Sequence, residues 1–256
     1  MEDVTFVIPI GDRQIYDRCF GCSPFFSYND NCEIFLQEGY PNAAVAFNSA
    51  LAQGRNDLFI FAHQDVVLPN GWATRFKNQV FAIERNVAHL GVIGCVGKTD
   101  LGEAAGHFYR HDREFKSAVP LPARVETLDE MLIAFRRSSG LLFDEELPSF
   151  FYYAVDICLQ AKVLNLSNFA IDCPVFHQAR NQTFFSKGFC QAQAYMIEKW
   201  RSLLPVQTLS GTLRHKRINR IHRIKDFISV AIRGRFWENL PTIDPQTVLW
   251  QNREND

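Results

Sequence analysis

The stretch that decides the fold is "LFIFAHQDVVLPNGW", Leu58 to Trp72. Its first half is a short, wholly apolar run, the signature of a strand buried on both faces. It then sets His63 and Asp65 two residues apart where the run ends, and Pro69, Asn70 and Gly71 break the chain. Trp72 opens a stretch with Phe76, Val80 and Ile83 at helical spacing. A buried strand, a polar tip and a helix make the unit of an α/β sheet.

Working outward, the same alternation repeats. "VTFVIPI" (Val4 to Ile10) reads as a first strand closed by Gly11 and Asp12, and "CEIFLQE" (Cys32 to Glu38) as a second, ended by "GYPN". Ala44, Phe47 and Leu51 then recur at helical spacing, with Gly54 as the stop. "HLGVIGCVG" is a fourth strand. This order predicts a mostly parallel sheet with helices on both faces, in which ligands gather at the carboxyl ends of the strands. His63 and Asp65 lie at such an end.

Farther on, residues 98–127 read as a long loop or small hairpin that covers a site. Met131 to Arg137 reads as a strand. A helix from about Tyr153 carries Val155, Leu159 and Val163 inward, and "SNFAIDCPVFH" is a last strand ending at His177. "FSKGFCQAQAYMIEKWRSLL" is a helix. We place one domain at residues 1–204 and an extension at 205–256. Between Lys199 and Arg235 ten Lys or Arg face one acid, Asp226, while Ile218, Ile221, Ile224 and Ile228 recur at helical spacing. A basic amphipathic helix either packs on its own domain or lies on an anionic membrane surface.

Composition narrows the class. The 256 residues are 47% apolar and 21% charged, with a net charge of −1, so bulk charge draws in no particular partner and nucleic acid is not expected. Seven cysteines at uneven spacing and a start, "MEDVTFVIPIGD", without a basic and apolar leader imply a cytoplasmic chain with free thiols. Cys19 and Cys22 lack a second close pair, which weakens a zinc reading. No apolar run approaches the roughly 20 residues of a membrane span. Neither GxGxxG nor GKS/T is present, which argues against dinucleotide and P-loop sites.

Three residues then stand out together. His63, Asp65 and His177 each close or follow an apolar run, and two imidazoles with a carboxylate suit a divalent transition ion such as Mn²⁺, whereas carboxylate and water alone suit Mg²⁺. The plain alternative is histidines that hydrogen-bond to backbone. Asp156, early in a helix, is either a carboxylate favoured by the helix dipole or a general base. Gln37, Glu38, Asn42 and Asn48 border the second strand and its helix, where an open sheet meets a nucleoside. Asp144 and Glu145 read as loop carboxylates.

In this order the motifs "VTFVIPI", "NAAVAFNSALAQGRNDLFIFAHQDVVLPNGW", "GVIGCVG", "LDEMLIAFRR", "LFDEEL", "FYYAVDICLQA" and "VFHQARN" resemble family-2-like glycosyltransferases of the GT-A fold, in a bacterial subgroup with HQD in place of DxD. The resemblance spans roughly residues 4 to 200. It implies a nucleotide-sugar donor over the N-terminal half of the sheet, held by Pro9, Ile10, Gln37, Glu38, Asn42, Asn48, Gln64 and Asp65. It implies Mn²⁺ or Mg²⁺ on His63, Asp65 and His177, and Asp156 as base in an inverting transfer to a saccharide or lipid-linked hydroxyl in cell-surface polysaccharide synthesis. Peripheral contact with the inner membrane face through the basic helix follows by the same analogy.

Two positions depart from the family pattern. Tyr153 and Ala154 stand where acidic residues are usual, leaving Asp156 alone, and "LQEG" replaces an Asp-rich turn, with Glu38 as the substitute. Ala154 keeps open a non-catalytic module that binds a nucleotide sugar or a partner. A nucleotidyltransferase needs a glycine-rich basic first loop, which "GDRQIYDRCFG" does not supply.

Overall fold

The computed structural model describes residues 3–27, 32–178 and 186–215. In chain order it contains β1 (Val4–Ile10), α1 (Arg13–Arg18), β2 (Cys32–Glu38), α2 (Ala43–Gln53), β3 (Leu58–Ala62), β4 (Val66–Val67) and α3 (Trp72–Glu84). There follow β5 (Leu90–Gly94), β6 (Val96–Lys98), β7 (Ala104–Arg110), β8 (Arg113–Lys116), β9 (Ala123–Val125), β10 (Thr127–Leu128) and β11 (Leu132–Arg136). The remainder is α4 (Tyr153–Val163), β12 (Ser167–Ala170), β13 (Phe176–His177), α5 (Lys187–Lys199), β14 (Val206–Thr208) and β15 (Gly211–Leu213).

The expected α/β architecture is present. A seven-stranded sheet runs β2-β1-β3-β11-β5-β12-β9. β1, β2, β3, β5 and β12 share one direction, while β11 and β9 are reversed. Period-2 alternation distributes side chains between two cores. Phe59, Phe61, Ile133 and Phe135 join Phe47 of α2 and Leu159 of α4 on one face. Leu58, Ile60, Leu132 and Ala134 join Trp72, Phe76 and Val80 of α3 on the other. Phe47, Phe61 and Phe143 meet with ring centroids 4.8–4.9 Å apart, one use of the abundant phenylalanine.

Local chemistry explains the boundaries. Asn42 caps α2 by accepting from the Val45 N–H at 2.9 Å. Gly71 takes φ +70° just before α3, a conformation that suits glycine. Gly54 ends α2 against the next strand so closely that a Cβ there would lie 2.5 Å from the Phe59 ring.

Some boundaries differ from expectation. Residues 98–127, expected as a loop or small hairpin, hold the β7–β8 hairpin, and β7 also pairs antiparallel with β6 and joins the second sheet β10-β6-β7-β13-β4. The last expected strand is two pieces, β12 and β13, in different sheets. Val163, expected inside, is 58% exposed, because α4 is ending there. The start of the 205–256 extension is a β14–β15 hairpin held to the domain, with the Thr127 hydroxyl donating to Gln207 O at 2.6 Å and Gln207 N–H to Glu126 at 2.9 Å. The expected basic amphipathic helix falls on residues 216–256, outside the described residues.

Candidate active site

The opening motif folds as a turn at the tip of β3. His63 N–H donates to Met131 O at 3.0 Å, extending the β3–β11 ladder by one step, and Val66 N–H closes the turn on His63 O at 3.2 Å. β4 then pairs antiparallel with β13, setting His177 opposite Val66. Gln178 N–H donates to Asp65 O at 2.8 Å. A residue more than a hundred positions downstream is thereby fixed beside Asp65 by backbone register.

His63, Asp65 and His177 each offer one ligand atom, all within 4.8 Å of one another. His63 Nδ1 lies 3.9 Å and His177 Nε2 3.4 Å from Asp65 Oδ1. Neither contact has hydrogen-bond geometry, and Asp65 Oδ1 is the one buried side-chain polar atom of the described residues without a hydrogen-bond partner. A buried carboxylate oxygen left so is costly unless something else satisfies it. Burial raises the Asp65 carboxyl, but the two imidazoles outweigh that and hold it below the usual carboxylate range. Burial, then the neighbouring His177, holds His63 below the usual imidazole range. An ionised carboxylate and an unprotonated imidazole are the states that a divalent cation requires. The donor set of two imidazoles and one carboxylate therefore fits Mn²⁺ or a similar ion.

Gln64, the middle residue of the motif, faces the first strand. Its Oε1 accepts from the N–H groups of Gly11 and Asp12 at 2.9 and 3.0 Å. That ties the turn to the β1–α1 loop across the mouth of a cavity of about 320 Å³. Pro9, Ile10, Gln37, Gln64, Asp65 and His63 line it, together with Gly11, Gly39, Tyr40, Ala46 and Phe150. Its volume suits a small-molecule ligand.

The remaining expected residues lie elsewhere. Glu38 points outward and pairs with Arg13 at 3.3 Å. Asn42 is the α2 cap and also reaches Glu145 O. Asn48 exchanges bonds with the Phe143 backbone and meets Glu145 Oε1 at 2.9 Å. Both asparagines hold the loop after β11 rather than lining the cavity.

Asp156 lies outside the lining of the cavity. It is 1% exposed, in the first turn of α4. Its oxygens accept from Trp200 Nε1 at 2.7 Å, Gln160 Nε2 at 2.7 Å and Lys199 Nζ at 2.8 Å. Lys199 bridges on to Asp144 at 2.6 Å, which also accepts from the Tyr195 hydroxyl at 2.7 Å. A carboxylate so enclosed and saturated has no room for a substrate hydroxyl; it fastens α5 to α4.

Sequence reasoning missed Tyr40 and Phe150 of the lining, although "GYPN" was read as a turn. It also passed over Asp129 and Glu130. Glu130 lies beside the start of α4, where the nearby Tyr152 and Tyr153 backbone N–H groups favour its ionised form. It lines a second, smaller cavity of about 40 Å³ with Asp129, Tyr152, Thr208 and Ser210.

With this geometry in hand, comparison places the chain. It is 34% identical over 214 residues to "ATP synthase subunits region ORF 6" of Fuscovulum blasticum, covering 78% of this chain and 84% of that one. The chain belongs to that protein's family. The relative's name states no activity, and no family model matches. Among solved structures the chain is similar to a mannosyltransferase from Pyrobaculum calidifontis in complex with GDP-Man and Mn²⁺, with a TM-score of 0.48 at 12% identity over 78% of this chain and 61% of that one. It is also similar to S. aureus TarS 1–349 in complex with UDP-GlcNAc, with a TM-score of 0.45 at 12% identity over 78% of this chain and 66% of that one. It thus spans less than two thirds of either chain. These likenesses assign no role to any residue here. No helix among the described residues is long and apolar enough to cross a membrane.

Proposed function

We propose that the protein is a divalent-metal-dependent glycosyltransferase of GT-A type, moving a sugar from a nucleoside-diphosphate donor to a hydroxyl. The observation that carries this is the unsatisfied Asp65 Oδ1 between two imidazoles, at the carboxyl end of a central strand and on the wall of a ligand-sized cavity. The order of sequence motifs supports the same reading. His63, Asp65 and His177 would hold the cation, which supplies positive charge to the donor diphosphate as it leaves. Pro9, Ile10 and Gln37 would line the nucleoside, and Gln64 fixes the β1–α1 loop over it. Glu38, Asn42 and Asn48 are omitted from the donor set, for the contacts described above.

We further propose that the transfer inverts the anomeric centre and that the acceptor is a saccharide or lipid-linked hydroxyl of a cell-surface polysaccharide. Contact with the inner membrane face belongs to the residues 216–256 and stays a proposal on sequence alone. One observation favours a second reading, a non-catalytic nucleotide-sugar-binding module: the expected base, Asp156, is sequestered.

Calorimetry with UDP, GDP and TDP, each with and without Mn²⁺, tests the first reading. It expects metal-dependent binding of one nucleotide and slow donor hydrolysis, both lost in Asp65→Ala. Binding without hydrolysis or transfer to any acceptor supports the module. No binding of any donor sinks both.

A further inference from the structure

An inverting transfer needs a proton acceptor beside the attacking hydroxyl, and Asp156 is unavailable. The strand reversal at β11 places another carboxylate near the site. β11 runs antiparallel to β3, pairing Leu132 with Ala62, so the residues just before β11 lie at the carboxyl end of β3. The bond from His63 N–H to Met131 O fixes that register at the metal triad itself. Glu130 is the next residue back. Its backbone carbonyl accepts from the Tyr153 hydroxyl at 2.8 Å, and the Tyr153 ring lies 6.4 Å from the His63 ring.

Taking the glycosyltransferase reading as given, we propose that Glu130 is the proton acceptor for the attacking hydroxyl, and that the small cavity it lines with Asp129, Thr208 and Ser210 receives that hydroxyl.

Three observations carry this. First, the cavity volume of about 40 Å³ is on the scale of one or two water molecules, and two carboxylates and the Thr208 and Ser210 hydroxyls share its walls with the apolar Val155, Phe189 and Leu209. A space of that size, with carboxylates in its wall, suits an alcohol group rather than a ring. Second, the segment between the two cavities is one short run: Phe150 lines the larger and Phe151 with Tyr152 the smaller. The two cavities are thus linked through consecutive residues of that run. Third, Tyr152 holds φ +68° and Ser149 φ +83°, left-handed values that are costly for residues with a Cβ. Tyr152 and Tyr153, at the start of α4, stand beside the Glu130 carboxylate. Strain of this kind persists where surrounding contacts fix it, and it gathers at working sites.

A carboxylate serving α4 as a remote cap needs neither an opening nor a second acid beside it. Glu130 has both. Burial, then the adjacent Asp129, pushes its carboxyl well above the usual range while the two N–H groups pull it back.

The acceptor O–H proton passes to a Glu130 carboxylate oxygen, and the freed oxygen pair forms the new bond to the anomeric carbon. The bond from that carbon to the diphosphate oxygen breaks, and its electron pair leaves with the nucleoside diphosphate toward His63, Asp65 and His177.

Glu130→Gln, Glu130→Ala and Asp129→Asn, made in the full chain, test this with donor, Mn²⁺ and an acceptor alcohol. Expected for Glu130→Gln is a loss of transfer of about 10² to 10⁴-fold with Mn²⁺-dependent nucleotide binding unchanged. Formate, a small carboxylate, should restore part of the transfer in Glu130→Ala, which a purely structural role would not allow. Should Glu130→Gln be too unstable to isolate, Glu130→Asp replaces it, with partial transfer expected. Transfer within a few-fold of wild type in Glu130→Gln, or loss in Asp129→Asn alone, overturns the assignment. Wild-type protein that binds no nucleotide overturns the glycosyltransferase reading instead, so the two failures are distinct.

Discussion

Replacing Asp156 should cost stability and leave the donor site intact. Asp156→Ala removes the acceptor for Trp200 Nε1 and Gln160 Nε2 and one of the two carboxylates on Lys199. Breaking a buried ion pair costs about 3–5 kcal/mol, mostly because a charge is stranded. Here Lys199 keeps Asp144 at 2.6 Å and its side chain is 26% exposed, so the lower end applies. About 3 kcal/mol corresponds to a melting midpoint lowered by roughly 6–12 °C for a domain of this size. Asp156→Asn keeps an acceptor for Trp200 and loses only the charge, so about 1–2 kcal/mol is expected. Urea denaturation followed by circular dichroism gives both values, and nucleotide calorimetry well below the midpoint checks the site. An unchanged midpoint with abolished turnover would refute the structural role and return Asp156 to the chemistry.

Other perturbations isolate other parts. With nucleotide and Mn²⁺ at about 100 times their dissociation constant, wild-type protein should gain about 2.7 kcal/mol, read as a raised midpoint, and Asp65→Ala and His177→Ala should lose that gain. Gln64→Leu leaves the Gly11 and Asp12 N–H groups without their shared acceptor, so nucleotide affinity should fall by about tenfold, or about 1.4 kcal/mol, measured by calorimetry. Asp172, held by His107 at 2.5 Å and Arg75 at 3.0 Å, has its carboxyl pulled down to about 2. A lowered folded value gives stability that is complete above the unfolded value near 4 and lost as pH falls through about 2. Asp172→Asn should therefore flatten the acid limb of the stability curve between those values, by about 1–2 kcal/mol after allowing for solvent screening. A parallel acid limb in the variant counts against the pairing. Gly54→Ala forces a methyl into the Phe59 ring and should destabilise by about 1–3 kcal/mol in the same denaturation assay.

The alternation of strands and helices was legible because burial imposes it: a strand with both faces covered must be apolar throughout, and Leu58 to Ala62 are. The stop of α2 was legible at Gly54, and the break before α3 at Pro69, Asn70 and Gly71, where Gly71 takes a left-handed turn. Asp65 and His177 stood out as polar ends of apolar runs, and the β4–β13 register brings them together. What periodicity could not supply was direction and partner. Asn48 and Asp156 sit at helix positions where a side chain faces either a ligand or a neighbouring loop, and only tertiary packing chooses. For Asp156 the choice lay with Lys199 and Trp200, more than forty residues away.

Direction matters most at β11. Read as one more parallel strand, Met131 to Arg137 sends the acids before it to the far edge of the sheet, away from any ligand. Reversed, as the pairing of Leu132 with Ala62 requires, the same acids arrive beside His63. One antiparallel strand in a mostly parallel sheet thus gives the site carboxylates from both ends of the sequence pattern: Asp65 from the end of a strand, Glu130 from the start of another. The helix that follows the gap, α4, then needs no acid of its own at Ala154, because its first N–H groups already face Glu130. On this account Ala154 and Glu130 form a compensating pair. An acid placed at Ala154, which is fully buried in an apolar cluster, with Glu130 intact should therefore destabilise the chain rather than improve transfer. The double change, Ala154→Asp with Glu130→Gln, tests that directly: transfer recovered over Glu130→Gln alone supports one shared role for the two positions. No recovery in a folded, nucleotide-binding double variant would separate them.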